Sequence, residues 1–393
     1  MFSIDIDYLF LNFLLLVVFV IRGKNISNGG NYWKNAIICI FIYVFVLGSR
    51  YGRGNDYFHY IDIYKSGLSF EQPFFHWINE SLKGIGVGPH YFFAYYALLF
   101  IICAFVFLKP FKKYLGFILP LFLMATLKLE EYQIRQALGF SFVFLFIYRL
   151  TIYKTRKLRT LYQSWVNYVL LIVYALIATS IHTANAIIIL IVVVTFFVIR
   201  RTIPLWISIS AYMLAAYVIS SYEDLSFLDS VVQFLGEQNS RFAEYASDSE
   251  KWFSAEGYQD KYSRHFLIKI YETLGNLSLF YLSARVIREK CNKVWSICLT
   301  NLYVIGTIFR QAFMNLELLN RMGGNLMLFW FVPLSLIIYY RTEMHYNVID
   351  KICLFLLSFW SYDYLRLMFM RGNMTLFLWD VDNYDIYEYL NTV

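Results

Sequence analysis

The sequence is short of charge. Only 16% of its 393 residues are Asp, Glu, Lys or Arg, against about 25% in an average soluble domain. Apolar residues make up 59%. A soluble fold of this size has no core large enough to hide so much apolar surface, so hydrocarbon is the expected solvent. Cysteine is scarce as well. The five are Cys39, Cys103, Cys291, Cys298 and Cys353, four of them inside apolar runs. No two have metal-ligand or redox-motif spacing, so neither a disulfide framework nor a metal site is expected. Met1 to Asp7 holds two acids and no base. A cleavable signal peptide opens on positive charge, so the first span is expected to stay as an anchor. Zinc, P-loop and nucleophile-elbow motifs are missing, as are low-complexity tracts. The triplet Arg-Gln-Ala at 135–137 and 310–312 is too short to make a repeat.

Aromatic residues are abundant instead, with 38 Phe and 34 Tyr, which suits two long membrane interfaces. Apolar runs occur at about 8–21, 36–48, 91–108, 114–127, 134–148, 165–181, 183–199, 203–220, 266–284, 294–309, 322–340 and 352–369. Several are shorter than the ~20 residues that a hydrocarbon core of about 30 Å asks for. Pro120 is expected to kink the fourth. The expected fold is an all-α polytopic membrane protein: one integral membrane domain, 1–393, with about twelve transmembrane helices and larger external loops at 49–90 and 221–265. In the second loop, Leu228, Val231, Val232 and Leu235 have helical spacing.

The connections alternate in charge. Odd-numbered ones carry 19 bases and three acids, and the rest of the chain carries 15 bases and 24 acids. The two sides therefore differ in sign, +16 against −9, and together give the net +7. Basic loops stay in the cytoplasm, so both termini are expected outside. The basic excess is a topology signal, and no nucleic-acid partner is implied. The uncharged stretch 165–199 lies between two basic clusters. The chain must cross and return there, with its bend near His182 and two arms of about 26 Å of helix.

Six groups of polar residues carry possible chemistry. The first runs from Arg50 through Arg53 to Asp56, with Tyr57, Tyr60 and Tyr64 at helical spacing behind it. Asp suits a helix start, so a helix is expected from about Asp56. Arg135 and Gln136 enter the fifth run after Lys128, Glu130 and Glu131. His182 stands alone in its hairpin. Arg241 lies in the large loop beside Phe242 and Tyr245. Arg310, Glu317, Asn320 and Arg321 surround the turn between the tenth and eleventh runs. Lys269 and Glu272, three residues apart, are expected to pair on one helix face. Each group also has a plainer reading: a snorkelling interface anchor, a solvated charge or a structural histidine. The Asp5/Asp7 pair reads as solvated acids.

The set says more than its members. Arg53, Arg135, Arg241, Arg310 and Arg321 come from five separated segments, yet the topology puts all five on the outer face. Arginine suits bidentate phosphate recognition and cannot lose its charge. Asp56, His182 and Glu317 share that face and could supply a general base. Such a rim suits an anionic, lipid-linked substrate.

These residues also resemble a family. The run Arg53-Gly54-Asn55-Asp56-Tyr57-x-x-Tyr60 looks like the Arg-x-Gly-x-Asp-x-x-x-Tyr region after the second span of EpsG-type polysaccharide polymerases. These stand among the Wzy-like O-antigen and exopolysaccharide polymerases. Glu71-Gln72-Pro73-Phe74-Phe75 is similar to their Glu-Pro-aromatic stretch, with Gln72 inserted. Ile134-Arg135-Gln136-Ala137-Leu138 resembles their Ile-Arg-Gln-x-Leu segment, and His182-Thr183-Ala184 their His-x-Ala hairpin. Asn320-Arg321-Met322, followed by Pro333, is similar to their late Asn-Arg-Ile…Pro segment.

The resemblance implies a polymerase of undecaprenyl-pyrophosphate-linked oligosaccharide repeat units in the bacterial inner membrane. It implies no cofactor and no metal. Besides the lipid-linked substrate and membrane lipids, it admits a chain-length regulator as partner. In that scheme Asp56, His182 or Glu317 takes a proton. Arg53, Arg135, Gln136, Arg241, Arg310 and Arg321 bind substrate or pyrophosphate. Two alternatives stay open. One is another lipid-sugar transferase or an O-antigen ligase. The other is a flippase or transporter, which would need a polar path across the bilayer, whereas few charges here lie at mid-depth.

Overall fold

The computed structural model describes residues 6–54, 56–67, 72–155, 161–221, 266–314, 317–369 and 376–380. Regular structure among them is helical, apart from one isolated antiparallel bridge between Arg50 and Phe377. The helix proposed at 228–235 lies outside the described residues. Each apolar run falls on helical structure, the 322–340 run on two helices joined by a 3-10 turn. Six stretches are long and apolar enough to cross a membrane: Ile6–Ser27, Phe92–Tyr132, Ile134–Thr151, Ser164–Ile181, Leu319–Tyr339 and Val348–Phe369. The second of these holds two of the runs. Tyr32–Gly48, Asn185–Phe197 and Leu205–Tyr217 are apolar but shorter. The runs at 266–284 and 294–309 form long helices that do not reach that apolarity, the first of them carrying Lys269 and Glu272.

Large apolar side chains face outward along these helices, including Phe10, Phe13, Ile37, Phe41 and Leu176. In water they would form apolar patches well beyond what soluble monomers carry. Against lipid tails they cost nothing, and the chain is a multi-pass membrane protein.

The chain forms two compact units, Met1–Leu190 with Tyr362–Val393, and Ile191–Ser361. The first holds α1 (Ile6–Ser27), α2 (Tyr32–Gly48), α3 (Tyr57–Ser66), α4 (Pro73–Gly84), α5 (Phe92–Leu108), α6 (Leu115–Tyr132), α7 (Ile134–Thr155), α8 (Leu161–Ile181) and the start of α9 (Asn185–Phe197). Asn31 opens α2 by accepting the Lys34 backbone N–H at 3.0 Å, which satisfies an otherwise orphaned donor. The helix α6 runs unbroken through Pro120.

Polar bonds fix the ends of this unit. Ser27 at the end of α1 donates to the Lys112 carbonyl at 3.2 Å and accepts from Gly116 N at 2.7 Å. Tyr32 bonds the Phe105 carbonyl, and Lys109 and Lys112 lie over Trp33 and Tyr32. One end of the unit thus gathers Lys24, Lys34, Lys109 and Lys112. The opposite end holds the close of α2, α3, the close of α6 and the start of α7.

The described residues of the 49–90 connection are folded. Tyr57, Tyr60 and Tyr64 are buried along one side of α3, as their spacing predicts. Tyr57 stacks on Phe93 at 4.4 Å and Tyr64 on Phe92 at 4.7 Å, which seats α3 on the start of α5. Helix α4 starts on Pro73, whose fixed φ suits a first turn. It buries Phe75, Asn79 and Leu82 and exposes Trp77, as an interfacial helix should.

The second unit holds the rest of α9, then α10 (Leu205–Tyr217), α11 (Phe266–Glu289), α12 (Val294–Ala312), α13 (Glu317–Met327), α14 (Phe331–Tyr339) and most of α15 (Val348–Phe369). A 3-10 turn, Leu328–Trp330, joins α13 to α14. Here too one end is basic. Arg285 pairs with Asp350 and donates to the His345 carbonyl at 2.6 Å, and Lys290 stands 3.8 Å from Glu343. Lys269 donates to Ser220 Oγ at 3.3 Å and lies over the Tyr217 ring.

Helices α12 and α13 cross closely because Gly323 has no side chain. A Cβ there would come within 2.6 Å of Arg310 N and 2.7 Å of its Cα. Backbone cannot yield as a side chain can, so Gly323→Val should destabilise the protein by about 1–3 kcal/mol. Gly324→Ala, where nothing lies within 4 Å, should be neutral. Thermal unfolding of both variants in detergent micelles measures the difference.

Candidate functional site

At the end of the first unit opposite the lysines, four charged residues are buried together. Arg50 and Arg53 come from the segment after α2, and Glu130 and Glu131 from the last turn of α6. Their exposures are 1%, 2%, 2% and 1%. Arg53 Nη1 donates to Glu131 Oε1 at 3.4 Å. Its guanidinium is sandwiched between the rings of Tyr8 and Phe377, 4.6 Å from each. Arg50 lies 5.2 Å from the Phe93 ring. Burial draws its pKa below the ordinary guanidinium value, while the charges of Glu130 and Glu131 oppose the shift. Arginine stays protonated nonetheless.

Gly54 makes this approach possible. Its φ is +101°, a conformation that side-chain-bearing residues avoid, and a Cβ would collide with the Glu131 carbonyl. Tyr57 adds a polar link. Its hydroxyl donates to the Arg50 carbonyl at 3.2 Å and lies 3.2 Å from His90 Nδ1. With the Tyr57 proton on that carbonyl, His90 must carry its own proton on Nδ1. His90 is buried and stacks against Tyr51.

The cluster is incompletely bonded. Arg50 Nε and Nη1, Arg53 Nε and Glu130 Oε2 are buried without a hydrogen-bond partner. Buried charged groups with unanswered bonds are expensive, and each one in a native protein asks for a reason.

Residues 376–380 lie over the cluster. Tyr51 N donates to the Leu376 carbonyl at 2.9 Å, and Leu378 N to the Ser49 carbonyl at 2.8 Å. Phe377 is fully buried, with its backbone N–H held by Asp380 Oδ2 at 2.8 Å. Trp379 stacks on the outer side of Phe377, ring centroids 4.6 Å apart.

In the second unit, the end away from the basic turns carries Arg310, Asn320 and Arg321. Arg310 Nε donates to Asn320 Oδ1 at 3.3 Å, and Asn320 Nδ2 to the Met314 carbonyl at 3.3 Å. Arg310 is half-buried, whereas Arg321 on α13 is exposed.

The residues singled out from sequence fall as follows. Arg53 is buried and paired. Asp56 precedes α3, half-buried, without a side-chain capping bond. Arg135 is half-buried at the start of α7, and Gln136 is buried beside it. His182 is half-buried in the bend between α8 and α9, whose Asn185 packs on Gly139 of α7. These five share one end of the first unit. Glu317 opens α13, and its side chain lies outside the described residues, as does Arg241. Sequence reasoning named Arg50 in its first group but did not single out Glu130, Glu131, His90 or Phe377 as site residues. Two acids closing an apolar run were a usable signal, and His90 follows a Gly-rich stretch, but nothing marks Phe377.

No curated protein and no solved structure matches this chain. The model of the EpsG family matches residues 34–379, which include the arginine–glutamate cluster, the α8–α9 bend, the Asn320–Arg321 segment and Phe377. With most of its length matched, the chain belongs to the EpsG family of polysaccharide-polymerase-type membrane proteins.

Proposed function

We propose that the protein joins undecaprenyl-pyrophosphate-linked oligosaccharide repeat units into O-antigen or exopolysaccharide at the outer face of the bacterial cytoplasmic membrane, with both termini outside. The observation that carries this reading is the segregation of charge. In the first unit, Arg50, Arg53 and Arg135 stand at the end opposite Lys24, Lys34, Lys109 and Lys112. The lysine end belongs in the cytoplasm, so the arginine end meets the outer leaflet, where a translocated lipid-linked substrate is found.

The reaction needs one proton acceptor and a cationic cradle. A hydroxyl of the incoming repeat unit attacks the anomeric carbon of the growing chain. The bond from that carbon to the pyrophosphate oxygen breaks, and the lipid pyrophosphate leaves with the electron pair. Asp56 or His182 takes the hydroxyl proton. Arg135 stabilises the negative charge as it builds on the leaving group, an electrostatic effect that is strong where water is scarce.

Purified protein given a lipid-linked repeat unit should yield a ladder of oligomers and release undecaprenyl pyrophosphate. Alanine at Asp56, Arg135 or His182 should reduce the ladder to single units in cells, with membrane levels checked by blot. A normal ladder from all three variants would remove the proposed site. A flippase would move the substrate across vesicles and form no new glycosidic bond.

A further inference from the structure

We propose that residues 376–380 are a lid over an anion site formed by Arg50 and Arg53, closed by Phe377 and opened when a pyrophosphate group displaces that ring. The identity of the ligand rests on the polymerase reading. The lid itself rests on the geometry beneath Phe377.

The unanswered polar atoms in this cluster are unequal in kind. Three are guanidinium nitrogens, Arg50 Nε and Nη1 and Arg53 Nε, and one is an acceptor, Glu130 Oε2. A surplus of N–H donors calls for a group rich in acceptor oxygens. Phosphate oxygens meet that need, and arginine forks suit them. The Phe377 ring attracts the Arg53 cation through its face but accepts none of the in-plane N–H bonds. Phe377 therefore fills the space without satisfying the groups below it.

The covering segment is short and crosses the cluster at a single bridge. It meets the body at one isolated bridge made by two backbone hydrogen bonds, at the Phe377 ring over the Arg53 guanidinium, at Trp379 against Phe45 with ring centroids 5.9 Å apart, and at a 3.5 Å contact from Arg53 Nη2 to the Leu376 carbonyl. An arriving oxyanion gains the unused donors in exchange for the Phe377 contacts. The closed form carries a cost that the ligand removes, which makes the segment a displaceable lid and not a fixed wall.

Cross-linking tests it. Leu378 N donates to the Ser49 carbonyl at 2.8 Å, which sets the two residues opposite each other across the bridge, as neighbours suited to a disulfide. The full-length Ser49→Cys/Leu378→Cys variant should cross-link on treatment with diamide. The native protein, whose cysteines are buried or half-buried, serves as the control. Oxidation should weaken binding of undecaprenyl pyrophosphate in micelles about tenfold, equivalent to about 1.4 kcal/mol, and dithiothreitol should restore it. Phe377→Ala should bind about tenfold more tightly than the native protein, because the closed state no longer competes.

Inorganic pyrophosphate is run alongside. A parallel loss assigns the site to the headgroup, a loss confined to the lipid assigns it to the lipid-borne anion, and both support the lid. Failure of the pair to cross-link, or binding unchanged by oxidation, would overturn it. Redox-dependent binding by a protein that makes no polymer would keep the lid and discard the polymerase. Polymer formation with redox-independent binding would do the reverse.

Discussion

Alanine at Glu131 is expected to cost the protein about 3–5 kcal/mol, because it leaves a buried guanidinium without its counter-charge. Arg53 is 2% exposed, its Nε already lacks a partner, and the aromatic rings on either side cannot accept an in-plane N–H bond. Losing the carboxylate that takes Nη1 at 3.4 Å would strand the charge further. The double variant Glu131→Ala/Arg53→Met should recover most of the loss, since an apolar chain of similar length fits between Tyr8 and Phe377 and needs no partner. Unfolding in detergent micelles, run as a double-mutant cycle, gives the coupling between the two residues. Simply additive losses would mean that the pair contributes no more than two independent side chains.

Arg321→Ala should behave in the opposite way. Its side chain is exposed on α13, so its loss is expected to leave thermal unfolding within about 0.5 kcal/mol of the native protein. If Arg321 stabilises the leaving pyrophosphate, polymerisation by the purified protein should fall about 10²–10³-fold, the usual effect of removing one transition-state donor. Arg321→Lys should restore only part of the rate, because an ammonium group offers charge without the planar fork. Native rates from Arg321→Ala would exclude the residue from the reaction. The two arginines thus differ in what their loss does to the fold: Arg53 is buried and paired, and Arg321 is exposed.

Local patterns made much of the fold legible. Tyr57, Tyr60 and Tyr64 announce α3 because helical spacing puts every third or fourth residue on one side. The uncharged 165–199 stretch announces the bend at His182, because two basic flanks cannot lie on opposite sides of one membrane. The site was harder to read. Arg53 looked like an open rim arginine, and its partner Glu131 lies 78 residues away. Phe377 carries no motif at all, and its partner across the bridge, Arg50, stands near the other end of the chain.

The sequence by itself determined that this chain lives in a membrane, where its apolar helices run, and which connections share a sign of charge. Hydrophobicity and charge are properties of each residue and need no neighbour to be read. Only the tertiary structure decided which arginines are buried and which are open, that two glutamates answer two arginines, and that a distant phenylalanine covers them. Burial and pairing depend on what the rest of the chain brings alongside, and a linear pattern carries no term for that.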